Sequence, residues 1–391
     1  MKNTSLLKVV ALGFLCISLS TKAQITQNTF GKGIKLKAED GSFEMKFSIR
    51  FQTLYVGKLN LETDDYSDQL LIRRARLKFD GFAFSPKLNY KIELGITNSD
   101  TRNSSSIGIP QNGGTANIIL DAVLRYEFAD NWEVWFGQTK LPGNRERVIS
   151  SQKLQFVDRS LVNSRFNIDR DTGLQLHHKS VIGSMVLNQA LAISIGEGRD
   201  ITSSNNPGGY DYTGRLELLP FGEFTNKGDY FGADLEREET PKLSVGFTAD
   251  FNDNALRQGG QLGRFVTDGG NQLKSDLTAF FLDAVLKYNG LSVSSEFASK
   301  AGSAVNGFGT GSGFVAQVGY VFKNNIEPAI RFTKIEPDNF RSRLSEETEY
   351  TFGLSKYIVD HSLKVQTDFS YTDFPDSHNE FRYRFQVEFS F

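Results

Sequence analysis

Residues 379–391, NEFRYRFQVEFSF, end the chain and carry its clearest pattern. Apolar side chains stand at every second position, namely Phe381, Tyr383, Phe385, Val387, Phe389 and Phe391, with polar side chains between them. Since successive side chains of a β-strand point to opposite faces, this alternation predicts a strand with one apolar and one polar face. The strand runs to the last residue, so its apolar face needs a partner outside this stretch.

The composition argues against a large dry core. Hydrophobic residues make up 39% of the chain, below the roughly 45–50% of ordinary globular domains. Yet the chain holds 33 Phe and 13 Tyr, and no stretch after the N-terminal segment approaches the length of a transmembrane helix. Many apolar half-faces in a polar chain are typical of a barrel with lipid outside and water inside.

The same alternation recurs along the whole chain. Sixteen segments show it, starting near residues 43, 70, 87, 116, 131, 171, 183, 209, 242, 274, 291, 313, 326, 348, 361 and 380. No helical period of 3.6 competes with it. The sequence therefore predicts an all-β fold: a transmembrane antiparallel β-barrel of about 16 strands over residues 43–391.

The connections between these segments alternate in length. The odd-numbered ones are mostly long and polar, whereas the even-numbered ones are short, and Asn289-Gly290 has the residues of a type I′ hairpin turn. Residues 220–241 are the exception, being long and acidic at an even position. Short turns on one side and long loops on the other are what a barrel with both termini in the periplasm predicts. The last strand must then close the barrel against the first, because lipid tolerates no unpaired edge.

The N-terminus predicts export. Residues 1–23 combine Lys2 and Lys8 with an apolar run and small residues near Ala23, as in a secretory signal peptide. We predict cleavage after Ala23, an N-terminal periplasmic segment over residues 24–42, and location in the bacterial outer membrane. Cys16, the one cysteine, lies in the apolar run after Leu15, which favours an apolar filler over a lipid anchor.

Charge and motifs exclude several functions. Without residues 1–23 the chain has 41 basic and 46 acidic residues, so it is not a general nucleic-acid binder. His177 and His178 would point to opposite faces of a strand and cannot share a metal ion. No catalytic, metal-binding or cofactor motif stands out, and we predict neither enzymatic activity nor a cofactor. A rim enzyme using His378 within DFPDSHN (residues 373–379) is a weaker alternative.

Basic residues form the most suggestive pattern on the polar faces. Arg74, Arg76 and Lys78 share the lumen phase of the second segment, about 6.6–7 Å apart, and could form a ladder for an anion. Arg73 takes a lipid-facing position of the alternation, near the outer end of the same strand, where its side chain could reach the lipid headgroups. Arg125 lies on the polar face of the segment near residue 116. Alternatively these are solvated charges neutralised by Glu93, Asp121 and Glu127.

The third outer connection, residues 140–170, is the longest of these loops. It holds seven basic residues, Lys140, Arg145, Arg147, Lys153, Arg159, Arg165 and Arg170, against the acids Glu146, Asp158 and Asp169. It also contains apolar pieces, VISSQKLQFV (residues 148–157). We expect this loop to fold inward, because a sixteen-strand barrel needs a constriction to be selective.

Several stretches resemble the phosphate-selective porins O and P, including the porin-like members from Bacteroidetes-type bacteria. They are residues 31–52, 72–94, 121–128, 131–152, 157–163, 169–177 and 230–260, which include IRRARLKFDGFAFSPKLNYKIEL and NWEVWFGQTKLPGNRERVISSQ. The resemblance implies a sixteen-strand barrel, usually trimeric, with the third loop folded into a pore that carries an arginine ladder. Arg74, Arg76 and Lys78 match the strand part of that pattern, and Arg147, Lys153, Arg159 and Arg165 match the loop part by location.

The resemblance implies a porin for passive diffusion of small solutes that prefers anions, with phosphate as one candidate. The resemblance also implies a group of lysines that binds phosphate, but no lysine cluster is obvious in the first, fourth or fifth outer loops, and acids interleave the lumen. These departures favour general anion preference over phosphate specificity. The alternative is a closed-pore barrel acting as a surface-binding or adhesion scaffold. Resemblance to outer-membrane barrels as a class implies that Phe391 is the signal recognised by the barrel-assembly machinery.

Overall fold

The computed structural model describes residues 23–27, 29–97, 100, 118–199, 209–303, 306–338, 342–375 and 377–391. Sixteen antiparallel strands close into a barrel. They are β3 (Phe43–Asn60), β4 (Tyr66–Ala83), β5 (Ser85–Gly95), β6 (Ile119–Ala129), β7 (Trp132–Lys140), β8 (Arg170–Ile182), β9 (Met185–Ser194), β10 (Asp211–Leu219), β11 (Lys242–Ala255), β14 (Ser275–Tyr288), β15 (Leu291–Gly302), β16 (Gly311–Tyr320), β17 (Ile326–Pro337), β18 (Glu347–Val359), β19 (Leu363–Asp373) and β20 (Glu380–Ser390). The predicted fold class is confirmed.

Besides the sixteen barrel strands, the described residues form four short strands. Strands β1 (Ala23–Gln27) and β2 (Ile34–Ala38) form an N-terminal hairpin, and β12 (Thr267–Asp268) pairs with β13 (Asn271–Gln272) inside a loop. The predicted signal peptide falls almost entirely on residues 1–22, which lie outside the described residues.

The barrel closes between its last and first strands. Strand β20 pairs antiparallel with β3 from Glu380 opposite Asn60 to Ser390 opposite Arg50. Where β20 ends, β2 takes over the same edge, with Ile34 opposite Phe47. The N-terminal hairpin therefore continues the seam and leaves less of the edge of β3 unpaired.

Alternation places apolar side chains outside and charged side chains inside. Phe136, Leu191, Ile330 and Tyr350 expose 56–66% of their surface on the outer face. By contrast, Asp121, Glu217, Asp368 and Glu388 are buried on inward-facing positions. Since unpaired charges are costly to bury, the interior has to be organised by ion pairs and water.

The turns follow the sequence prediction at one end of the barrel. Asn289 and Gly290 both have positive φ, 48° and 94°, as a type I′ turn requires. At the other end, residues 57–68 were expected to form a long loop, but β3 and β4 continue through most of them and leave a turn of residues 61–65. Direct pairing of Lys58 with Ser67 and Gly57 with Asp68 explains the longer strands.

Of the connections that the structure describes, two meet inside the barrel. The first, called L3 here, comprises residues 141–169 at the loop end and contains helices α1 (Arg145–Val148) and α2 (Leu161–Phe166). The second, called the insert, comprises residues 220–241 at the turn end and contains a short 3-10 helix, Thr225–Tyr230. Their contacts determine how much of the lumen stays open.

Candidate functional site

L3 is anchored to the far wall by apolar packing. Ser160 caps α2 by accepting a hydrogen bond from the Asn163 backbone N–H, 3.2 Å away. The helix then buries Val162 and Phe166 against a wall that includes Phe281 and Ile335. The wall-facing side of α2 is therefore fixed in a local core inside a largely polar barrel.

Ion pairs and hydrogen bonds fix the rest of L3. Arg145 is buried, and its guanidinium reaches Asp283 Oδ1 at 2.6 Å and Glu217 Oε2 at 2.7 Å. Further along, Gln155 Nε2 donates to Glu327 Oε1 at 2.6 Å, and the Val157 backbone N–H donates to Asp368 Oδ2 at 3.1 Å. These partners lie on β10, β14, β17 and β19, so L3 crosses the lumen instead of lining one wall.

The insert enters from the opposite end and meets L3. Lys287 of β14 holds the insert by donating to the carbonyl oxygens of Gly228, Phe231 and Ala233 at 2.6–3.0 Å. The Gly232 backbone N–H then donates to the Lys153 carbonyl of L3 at 2.8 Å. The Lys153 ammonium lies 3.5 Å from the centre of the Phe231 ring. The two connections thus fill part of the lumen from both ends.

Burial affects the charge at this junction. Burial, followed by repulsion from the neighbouring cations Lys78, Lys46 and Lys227, lowers the pKa of Lys153 to about 8. Because the aromatic face of Phe231 attracts the protonated form, the stacked geometry compensates part of that cost.

An open space lies between L3 and strands β4–β10. It forms a cavity of about 950 Å³. The described part of its lining contains thirteen Arg and Lys side chains against nine Asp and Glu side chains. A cavity with this excess of positive charge attracts anions, although the pairing described below cancels part of its field.

A β-bulge shapes the wall of this cavity. In β4, Arg74 pairs with Gln52 but Ile72 already pairs with Thr53, which leaves Arg73 as the extra residue. Arg73 and Arg74 both reach the carboxylate of Asp158 in L3, at 2.9 and 3.1 Å. The expectation that Arg73 contacts lipid headgroups was therefore wrong, because the bulge shifts the side-chain phase. It also turns Leu71 inward, against Leu54, Val56 and Val157.

Five of the eight predicted anion-binding residues line the cavity: Arg74, Arg76, Arg125, Arg147 and Arg159. Arg76 pairs with Glu93 at 2.8 Å, and Arg147 pairs with Asp169. At these two arginines, the basic side chains are neutralised by acids, as the alternative interpretation of the basic pattern expected.

The other three predicted residues lie outside the cavity lining. Lys78 pairs with Asp80 at 2.9 Å, and Arg165 pairs with Glu347 at 2.7 Å. Lys153 stacks on Phe231 at the junction with the insert. Each of these three cations therefore has a partner outside the cavity lining.

Arg159 has backbone partners. Its guanidinium donates to the carbonyl oxygens of Glu146 and Ile149 at 2.8 and 2.6 Å. Lys140 Nζ donates to the carbonyls of Arg147 and Val148 at 2.6 and 3.0 Å. Burial, followed by repulsion from Arg147, holds the pKa of Arg159 well below its usual range. Two cations with carbonyl partners thus stand where L3 narrows the cavity.

Several cavity residues were not among the predicted site residues. Arg170 binds Asp121 with a 3.0 Å contact, and Arg215 binds Asp283 at 2.7 Å. Lys91 also reaches Asp121, at 2.7 Å. The alternation in DYTGRLELL (residues 211–219) would have placed Arg215 inside, but its pairing across strands depends on register.

The histidines show no catalytic arrangement. His177 stacks on Trp135 and His178 on Trp132, each with ring centres 4.0 Å apart, so the two adjacent residues face opposite sides as expected. His378 is 2.7 Å from the Ser377 hydroxyl at the exposed loop end. In the described part of the chain, we find no carboxylate partner of His378 that would complete a triad.

A closed sixteen-strand barrel with a charged, loop-narrowed lumen defines the class of outer-membrane channels. Residues 45–380 match the family described as phosphate-selective porin O and P, and the chain belongs to this family. A relative from Aquifex aeolicus (strain VF5), described as an uncharacterized protein, is 24% identical over 390 residues, covering 90% of this chain and 88% of that one.

Solved structures of similar fold are also porins or channels. An anion-selective porin from Comamonas acidovorans has a TM-score of 0.58 at 11% identity, covering 89% of this chain and 100% of that chain. The outer membrane channel DcaP of Acinetobacter baumannii has a TM-score of 0.54 at 13% identity, covering 91% and 99%. At these identities the likeness shows the fold, and family and fold together indicate an outer-membrane channel rather than an enzyme.

Proposed function

We propose that this porin allows passive diffusion of small anions across the outer membrane. The observation that carries the proposal is the cavity lining, with thirteen basic against nine acidic side chains in a chain that is net acidic. Cations on a low-dielectric wall raise the local concentration of anions. The Comamonas acidovorans neighbour, described as anion-selective, is consistent with this proposal.

The preference is general rather than specific for phosphate. Arg74, Arg76, Arg147 and Arg170 each have a carboxylate partner within 3.1 Å. A cation that already binds a carboxylate contributes little to replacing the hydration shell of a phosphate dianion. We therefore expect moderate anion preference, with phosphate admitted among other small anions.

We also propose a homotrimer, exported through a signal peptide that is cleaved after Ala23 and assembled through recognition of Phe391. Support for the trimer comes from OmpT of Vibrio cholerae, whose trimer form has a TM-score of 0.53 and is 10% identical. The family resemblance points the same way.

The test is the reversal potential of the purified protein in a planar bilayer under a KCl gradient. We expect a value of anionic sign at about 0.1 M salt that shrinks towards zero near 1 M, because the Debye length falls from about 10 to 3 Å. The double variant Arg76→Gln, Arg125→Gln should move the value towards zero. Lys78→Gln, outside the cavity lining, is the matched control.

The same recording separates the alternatives. A cation-selective channel would overturn the anion proposal and leave the porin assignment. A folded barrel that carries no current would favour the closed-pore scaffold.

A further inference from the structure

Among the described residues, nine arginines line the cavity, and one of these nine differs from the rest. Eight have a carboxylate or carbonyl partner; Arg199, for example, donates to the Ile119 carbonyl at 3.0 Å. In the described part of the chain, Arg125 has no hydrogen bond or ion pair to a protein group, and its Nε is buried without a partner. A guanidinium that faces a cavity with its donors unused is a candidate ligand-binding group.

Arg125 is nevertheless held in place. Its guanidinium carbon lies 3.8 Å from the centre of the Trp135 ring. The indole is fixed in turn, because Trp135 Nε1 donates to Glu133 Oε2 at 2.7 Å and His177 stacks on it. Stacking uses the face of the guanidinium. The N–H donors lie along its edge and remain without hydrogen-bond partners in the protein.

We propose that Arg125, supported by Trp135, is a binding site for the carboxylate of small organic monoanions on their way through the channel. A guanidinium edge matches the two oxygens of a carboxylate and can bind both at once. This inference rests on the proposed function, since it names the class of anion that the channel takes up.

The surrounding charges favour one negative charge over two. Glu127 follows Arg125 on the same face of β6, and Glu133 precedes Trp135 on the same face of β7. The next cations of the wall, Lys91 and Arg170, are both bound to Asp121. The guanidinium of Arg125 has no bound carboxylate and can take one negative charge, whereas the two flanking acids repel the second charge of a phosphate dianion.

The experiment measures interruption of the chloride current through single channels by benzoate at pH 7. We expect concentration-dependent block by benzoate and weaker block by inorganic phosphate. Arg125→Gln should weaken the block about tenfold, which corresponds to about 1.4 kcal/mol. Arg125→Lys should weaken it as well, because the ammonium keeps the charge but loses the two-pronged geometry.

Two controls isolate the site. Trp135→Leu should weaken the block while the sign of the reversal potential stays anionic, since it removes the support but no charge. Lys78→Gln, outside the cavity lining, should leave the block unchanged. Heat-modifiable migration in gels checks that each variant forms a barrel.

The outcomes are distinguishable. Equal block of wild type and Arg125→Gln, or stronger block by phosphate than by benzoate, would overturn the carboxylate site. An anion-selective wild type without block by benzoate would overturn this inference and leave the proposed function standing. A cation-selective wild type would overturn the proposed function itself.

Discussion

Asp158 shows how one residue of L3 limits the charge available to a solute. Burial alone would raise the pKa of its carboxyl group, but Arg74 and Arg73 hold that pKa well below the usual range. The carboxylate therefore stays ionised at neutral pH and neutralises one of the two arginines.

Asp158→Asn should increase the anion preference of the channel. The amide keeps the size of the side chain and one acceptor oxygen, whereas the negative charge between Arg73 and Arg74 is removed. We expect the reversal potential in a KCl gradient to become more anionic than in wild type. Arg74→Gln removes a positive charge at the same place, so the reversal potential should become less anionic than in wild type. Shifts of the same sign in both variants would contradict this account.

Asp229 of the insert should make the selectivity depend on pH. Burial, followed by repulsion from Glu217, raises the pKa of its carboxyl group to about 6, although Arg145 and Lys287 act in the opposite direction. A raised carboxyl pKa means that the folded protein takes up a proton as the pH falls through 6. The cavity then loses a negative charge, so anion preference should rise between pH 7 and pH 5.

Asp229→Asn is the control for this pH dependence. It should give the higher anion preference already at pH 7 and a smaller change down to pH 5. Reversal potentials at several pH values measure both effects. If the variant responds to pH as strongly as wild type, a group other than Asp229 causes the pH dependence.

At the scale of elements, the strands could be predicted and the contacts between them could not. Each barrel strand begins within four residues of its predicted start, because alternation is written locally in the sequence. The bulge at Arg73 was missed, since no glycine or proline marks it. The pairing of Arg76 with Glu93 and of Arg165 with Glu347 depends on register and on the path of L3, which no local pattern specifies.

The insert is the element whose role the sequence did not reveal. Its composition is acidic, but its position is determined by hydrogen bonds from Lys287 and by the backbone contact of Gly232 with L3. Phe224 is buried with Val186, Leu219 and Val285, and Ala233 packs in a second cluster with Val321 and Tyr357. Because of these contacts, the insert holds a fixed position in the lumen and packs against L3 from the turn end of the barrel.

Removing the insert should widen the channel. Replacing residues 221–242 by the dipeptide Asn-Gly would join β10 and β11 in their present register, in which Leu218 lies opposite Val245. We expect higher single-channel conductance and weaker anion preference, because part of the lumen opens and L3 loses its contact at Lys153.

The controls for this deletion stay within the insert. Glu236→Gln, an exposed change, should leave the conductance unchanged. Phe231→Ala should give an intermediate effect, because it removes the ring under Lys153 but keeps the backbone contact. Unchanged conductance after the deletion would show that the insert does not obstruct the path of ions.

At the scale of the whole molecule, the barrel depends on one seam. Fifteen of its strand pairs join neighbours in the chain, whereas β20 and β3 must meet from opposite ends. Phe389 stacks on Phe51 across the seam and contacts Phe30 of the N-terminal segment, with ring centres 5.2 and 5.5 Å apart. The last residue completes this arrangement, since the backbone N–H and carbonyl of Phe391 both bond to Ile49 at 3.0 Å.

Phe391 can therefore act in two ways, as a closing residue and as a signal for assembly. Phe391→Ala keeps both backbone bonds to Ile49 and removes the half-exposed ring, whereas deletion of Phe391 removes both bonds and ring. If the ring is the assembly signal, Phe391→Ala should sharply lower the amount of heat-modifiable barrel in the outer membrane. The same variant should refold from urea into lipid vesicles as fully as wild type, because no assembly machinery is present there. The deletion should be low in cells and also less stable in vesicles, since the seam loses two hydrogen bonds. Normal outer-membrane levels of Phe391→Ala would contradict the signal, and a refolding defect of that variant in vesicles would assign the role of the ring to closure instead.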